Sequence, residues 1–127
     1  MKHRIIATAF LLTAPLVCQP LFAQPAFTGK GANDQKMLMK NWALSTCFAR
    51  FAQDRATKTD AGLTASAYLE NSQQDLEDFD KIDKIVDKYL AMKYGGSVQS
   101  DYNTMKCIDL FHSKELDRLV STLVRRR

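Results

Sequence analysis

Two cysteines sixty positions apart constrain this chain more than any other feature of its sequence. Cys47 lies in the segment Trp42–Phe48, and Cys107 lies in a longer segment, Tyr102–Leu116. If the two cysteines pair, they join the first helix of the domain to the helix before the last. In the chain-entropy account, closing a loop of this length stabilises a fold by roughly 4 kcal/mol. That is a large share of the roughly 5–15 kcal/mol by which a whole domain is stabilised.

The first 23 residues have the organisation of a secretory signal peptide. A basic start is followed by an apolar run from Ile5 to Val17, and Ala23 is a suitable cleavage position. The run is shorter than the roughly 20 residues that a membrane-spanning helix needs. We therefore predict a signal peptide at residues 1–23, followed by one mature domain at residues 24–127.

Removal of this signal changes how the cysteines and the charges are interpreted. Cys18 would leave with it, since Val17 in front of it is not the small residue that a lipoprotein signal needs. Two cysteines then remain in an oxidising compartment, which favours a disulfide over a metal site or a catalytic thiol. Of the 18 Lys and Arg residues, Lys2 and Arg4 are lost, so 16 basic residues face 14 acidic ones. The remaining surplus lies in the terminal run Arg125–Arg127, which is not the basic patch of a nucleic-acid-binding domain.

Apolar residues recur at spacings of three and four along the mature chain, which predicts an all-α fold. No segment shows the alternating pattern of a strand. We expect a single small domain of about five helices, stapled by one disulfide. The predicted helices run from Asp34 to Gln53, from Ala61 to about Asn71, from Ser72 or Asp75 to Gly95, from Asn103 or Thr104 to about His112, and onward from Ser113.

The apolar faces of these helices predict which side chains form the core. The second helix has a thin stripe of Leu63, Ala67 and Leu69, next to small residues. We expect these small residues to pack tightly within the domain, and a surface for a partner is the alternative. The acidic residues of the third helix lie opposite its apolar face, where solvation is expected and a docking surface for a basic partner is the alternative. The fuller apolar faces of the third and fourth helices consist of Leu76, Phe79, Ile82, Val86, Tyr89, Leu90, Met105, Cys107, Ile108, Leu110 and Phe111.

No catalytic constellation is found in the mature chain. His112 is its only histidine, and a Cys–His pair would need a free thiolate, whereas both cysteines are better explained as a bridge. Asp109 and His112 lie three residues apart, but two ligands without a third make a poor transition-metal site. We therefore predict no enzyme activity, no metal and no cofactor. A binding or inhibitory protein, or a stress chaperone, of a bacterial envelope fits the sequence better.

The connection before the second cysteine segment is where binding is expected. Loops held by a rigid scaffold often carry function, although an ordinary surface connection is the alternative. Nothing in this connection resembles a phosphate-binding loop, because no lysine followed by serine or threonine ends it. This connection runs from Gly95 to Tyr102 and is the one stretch able to project from an otherwise helical body.

Three blocks carry a family resemblance: NWALSTC at 41–47, DAGLTASA at 60–67 and NTMKCIDLFHSKEL at 103–116. They resemble the immunity proteins that protect Gram-negative bacteria from type VI secretion amidase effectors, specifically the fourth amidase immunity family. The resemblance spans nearly the whole mature chain. It implies a periplasmic all-α protein, usually a homodimer, in which Cys47 and Cys107 match the paired cysteines of the family.

The resemblance also implies a partner and a mechanism. The partner would be a papain-like peptidoglycan amidase that cuts the peptide stem beside diaminopimelic acid. In the family, the loop before the second cysteine inserts into the active-site cleft of the amidase, and a helix of the other subunit supports the complex. By this resemblance, the inserting loop corresponds here to Gly96, Ser97, Val98, Gln99, Ser100, Asp101 and Tyr102. Neither nucleic acid nor, after signal cleavage, a membrane is expected as a partner, and a periplasmic acid-stress chaperone is the leading alternative function.

Overall fold

The structure is a computed structural model that describes residues 31–124, so the predicted signal peptide and the C-terminal arginines lie outside the described residues. The described part contains five helices and no strand, which confirms the predicted all-α class. None of these helices has the length and apolar character needed to cross a membrane. The helices are α1 (Ala32–Phe51), α2 (Arg55–Glu70), α3 (Leu76–Ala91), α4 (Asn103–His112) and α5 (Lys114–Val124).

Helix α1 contacts all four of the other helices and supplies the centre of the core. Met39, Ala43 and Cys47 are fully buried and recur every four residues, so they lie on one face of the helix. The side chains that pack around this face come from the three later helices: Phe79, Ile82, Ile85, Val86, Cys107, Leu110, Leu116, Val120 and Leu123. Trp42 adds an edge-to-face contact with Phe79, with ring centroids 5.1 Å apart.

The predicted disulfide between Cys47 and Cys107 is confirmed. Their Cα atoms are 5.7 Å apart, and neither side chain has any exposed surface. The bridge joins α1 to the first half of α4 inside the core. Because α4 starts directly after the 92–102 connection, the bridge also fixes where that connection ends.

Helix α2 begins at Arg55, six residues before the predicted start at Ala61, because Asp54 caps it. The Thr57 N–H donates to Asp54 Oδ1 at 2.8 Å, which satisfies one of the free N–H groups at the helix start. This hydrogen bond also lowers the pKa of the Asp54 carboxyl, since it favours the charged form. The polar stretch that we expected to be a loop therefore forms the first turns of the helix.

The predicted apolar stripe of α2 was wrong at two of its three positions. Leu63 is 66% exposed and Ala67 is also exposed, while the buried residues of this helix are Ala61 and Ala65. Small side chains face inward because α2 packs along α1, and short side chains let two helices approach closely. Leu69 is half-buried and packs against the edge of the core.

The apolar faces of α3 and α4 were predicted correctly at their centres and wrongly at their ends. Leu76 is exposed because it is the first residue of α3, and Met105 and Ile108 of α4 are each 48% exposed. Helix α3 also ends at Ala91 rather than at Gly95, because Met92 takes an extended conformation. By contrast, Ser113 caps α5 as predicted, with its Oγ accepting the Leu116 N–H at 3.1 Å.

Polar contacts join α3, and the turn that precedes it, to α1. Arg50 forms ion pairs with Asp83, at 2.5 Å, and with Asp87, so these two acidic residues of α3 are engaged rather than merely solvated. Exposed pairs of this kind contribute about 1 kcal/mol or less each. At the other end of α1, the buried Gln35 accepts a hydrogen bond from the Gln73 N–H at 2.8 Å, which holds the turn between α2 and α3.

Replacing Cys47 and Cys107 together by alanine should lower the free energy of unfolding by roughly 4 kcal/mol, because the unfolded chain regains the entropy of a sixty-residue loop. For a domain of this size, that loss lowers the melting temperature by roughly 15–30 °C. Thermal melts followed by circular dichroism measure it. The variant should be insensitive to reductant, and a melting temperature within a few degrees of the native protein would contradict the expected role of the bridge.

Candidate functional site

The connection between α3 and α4 comprises residues 92–102, and the seven predicted binding residues form its second part. We call Gly96–Tyr102 the 96–102 loop. Its first six residues are exposed, and the apolar side chain of Val98 retains 70% of its accessible surface. The structure therefore places the predicted residues together in one largely exposed segment.

Tyr102 closes this loop on itself. Its hydroxyl donates a hydrogen bond to the Val98 carbonyl, and its backbone N–H donates to Ser100 Oγ at 3.3 Å. Its backbone is left-handed, with φ 50° and ψ 35°, a conformation that costs a non-glycine residue on the order of 1–3 kcal/mol. The two hydrogen bonds offset this cost and restrict the loop to a tight, self-bonded turn.

Gly96 permits the Tyr102 ring to lie against the backbone. A β-carbon at Gly96 would stand 2.8 Å from Tyr102 Cζ, well inside van der Waals contact, whereas a β-carbon at Gly95 would have no neighbour within 4 Å. The two glycines therefore differ in role although they are adjacent. No pattern in the sequence distinguishes the two, because it does not show that the Tyr102 ring folds back onto Gly96.

Another hydrogen bond ties the start of the connection to α4. The Tyr94 hydroxyl donates to Asp109 Oδ2 at 2.7 Å. This hydrogen bond, with smaller contributions from burial and from the charge of Asp109, raises the pKa of Tyr94 to about 12, so the phenol stays a neutral donor at physiological pH. Asp109, which was considered with His112 as a possible metal pair, thus has a structural partner that its sequence neighbours do not reveal.

A shallow groove runs beside the 96–102 loop. Met105 and Ile108, one helical turn apart on α4, give this groove an apolar wall. Both were predicted to be core residues, since their spacing fits the buried face of a helix. The lining residues are Phe51, Gln53, Ser100, Asp101, Tyr102, Asn103, Thr104, Met105 and Ile108.

Residues 37–120 match the family described as the type VI secretion system amidase immunity protein, Tai4. The chain belongs to this family. The resemblance seen in the three sequence blocks is confirmed, and the alternative of an acid-stress chaperone is set aside.

Solved structures of the same system share the fold. A chain of the Tae4/Tai4 effector–immunity system from Salmonella typhimurium is 48% identical, with a TM-score of 0.67 over 82% of this chain and 97% of that chain. A chain among the type VI-secreted toxins and self-resistance proteins of Serratia marcescens is 32% identical, with a TM-score of 0.69 over 88% and 86%. The complex of Salmonella typhimurium Tae4 with Enterobacter cloacae Tai4 gives 31% identity and a TM-score of 0.62 over 68% and 90%. No curated protein matches the sequence significantly.

Substituting Gly96→Ala should open the 96–102 loop, because the added methyl group displaces the Tyr102 ring and with it the hydrogen bond to Val98. Hydrogen–deuterium exchange of the loop amides should become faster, while exchange within α1, α3 and α5 stays unchanged. Gly95→Ala is the matched control, since its methyl group meets no neighbour. Equal exchange rates in the two variants would show that Gly96 has no special role.

Proposed function

We propose that this protein is a periplasmic immunity protein that binds a type VI secretion peptidoglycan amidase effector and occludes its active site with the 96–102 loop. The observation that carries this proposal is an exposed, self-bonded loop mounted on a helix that a buried disulfide fixes in place. Tae4 and Tai4 are present together in solved structures of this family, which supports an effector of the Tae4 kind as the partner.

Inhibition by this loop would be steric. A segment already held in one conformation loses little entropy on docking, which favours tight binding. Val98 offers an exposed apolar side chain to bury in the cleft, and the polar residues around it offer hydrogen-bonding groups. An apolar centre surrounded by polar residues is the usual anatomy of a protein interface.

The groove beside the loop extends the proposed interface. Met105 and Ile108 lie next to the last residues of the loop and leave about half of their surface exposed. A partner whose cleft receives the loop would cover these side chains with the rim of that cleft. Their burial would add apolar contact area without any ordering of flexible chain, because both residues belong to α4.

The disulfide also supports the proposed location. Disulfides form and persist in the periplasm and are rare in the reducing cytosol. We therefore propose that residues 1–23 direct export and are removed, and that the mature protein acts in the periplasm without catalytic activity of its own. A homodimer, in which a helix of the second subunit supports the complex, completes the proposed assembly.

Replacing Ser97–Ser100 by two glycines should abolish inhibition, because the shortened loop no longer reaches into the cleft. The measurement is digestion of purified peptidoglycan by Tae4 from Salmonella typhimurium, with and without the variant. Circular dichroism should show an intact helical fold in the variant. Full inhibition by the shortened loop would rule out occlusion of the cleft by the loop, which we call the plug mechanism.

A matched pair of truncations separates the loop from the rest of the surface. Val98→Ala should weaken inhibition of Tae4, while Leu63→Ala should not, although both side chains are about two-thirds exposed or more. Leu63 lies on α2, which packs on α1 and makes no direct contact with α4. Equal losses for the two variants would place the interface elsewhere than proposed.

A further inference from the structure

We propose that Lys106, a buried residue, is a positioning residue for effector binding: its ammonium group joins the end of α3 to the start of α4, the two helix ends that flank the 92–102 connection. This inference rests on the proposed function, since it concerns how the 96–102 loop is presented to the amidase. It assigns a role to a charged group that neither the core nor the proposed interface explains.

The burial of Lys106 needs an explanation. Only 6% of the residue is exposed, although lysine is among the residues least often buried, because an ammonium group loses its hydration. Its Nζ donates to two neutral oxygens, the Leu90 carbonyl at 3.2 Å and Asn103 Oδ1 at 3.1 Å. The amine therefore offsets the cost of its burial with contacts to these two positions.

The two acceptors lie at opposite ends of the connection. Leu90 is in the last turn of α3, where carbonyl groups have no partner within the helix and where the helix dipole favours a positive charge. Asn103 is the first residue of α4. The Lys106 ammonium group thus donates to a carbonyl at the end of α3 that has no partner within that helix, and it also binds the first residue of α4.

Lys106 also lies directly before Cys107, so it is attached to the part of α4 that the disulfide fixes to α1. The Tyr102 contacts lie within the loop, and the Tyr94–Asp109 hydrogen bond holds the residues that precede the loop. Loss of the lysine amine would leave the closed turn intact but would remove the hydrogen bond between the end of α3 and α4, so that the Tyr94–Asp109 hydrogen bond alone would tie the connection to α4. The loop would then sample several orientations, and binding would have to select one of them.

Lys106→Met tests this role, because methionine fills the same space with an unbranched apolar chain and has no N–H donors. Affinity for Tae4 from Salmonella typhimurium, measured by titration calorimetry, should fall by about tenfold, the effect of losing roughly one charge-assisted hydrogen bond. Amide exchange should accelerate in residues 92–104 and remain unchanged in α1 and α5. Lys114→Met is the matched control, since Lys114 is exposed at the start of α5, and neither readout should change.

Native affinity or native loop exchange in Lys106→Met would overturn the inference, because a buried positioning group must act through the order of the loop. If this variant does not fold, Asn103→Ala removes one of the two acceptors and leaves the amine in place. Faster exchange confined to residues 92–104 in Asn103→Ala supports the inference, and unchanged exchange overturns it.

The two-glycine loop variant separates this inference from the proposed function. If that variant still inhibits Tae4, the plug mechanism fails, whatever Lys106 does. If that variant loses inhibition while Lys106→Met binds Tae4 with native affinity, the plug mechanism stands and only the role of Lys106 is refuted.

Discussion

The covalent bond between Cys47 and Cys107 is the constraint on which the rest of this structure depends. It connects the middle of the helical core to the helix that begins where the exposed connection ends. A domain with so few core residues gains a large share of its stability from one such bridge. The same bond determines geometry, because it prevents the start of α4 from moving relative to α1. The disulfide therefore both stabilises the domain and fixes the position from which the loop is presented.

Contacts within the loop hold its conformation, since the hydrogen bonds of Tyr102 offset the strain of its own backbone. Tyr102 takes a left-handed backbone conformation that an aromatic residue seldom adopts, and Gly96 leaves room for its ring. Strain of this kind persists where the surroundings determine the conformation, and it is frequent at binding sites. A rigid loop suits an inhibitor that must dock without ordering a flexible chain, since the entropy of ordering is lost once, during folding, and not at each encounter.

The sequence predicted the elements whose signals are local and missed those that depend on tertiary contacts. Helical periodicity located α1, α4 and α5 to within about two residues, and the cysteine count indicated the bridge. The start of α2 was misplaced because Asp54, one of several possible caps, is the one that is used. The exposure of Met105 and Ile108 depends on where α1 ends beside α4, and the contacts of Lys106 depend on the approach of α3. No spacing rule in the sequence encodes either arrangement.

Photocrosslinking tests most directly whether the 96–102 loop occupies the active-site cleft of the effector. A photoreactive benzoylphenylalanine in place of Gln99 is irradiated in the mature protein bound to Tae4, and the crosslinked peptides are identified by mass spectrometry. Crosslinks to the residues that line the catalytic cleft, reduced in yield by a peptidoglycan fragment that competes for it, are the expected result. Crosslinks confined to the surface outside the cleft, with a yield that the fragment does not change, would contradict it.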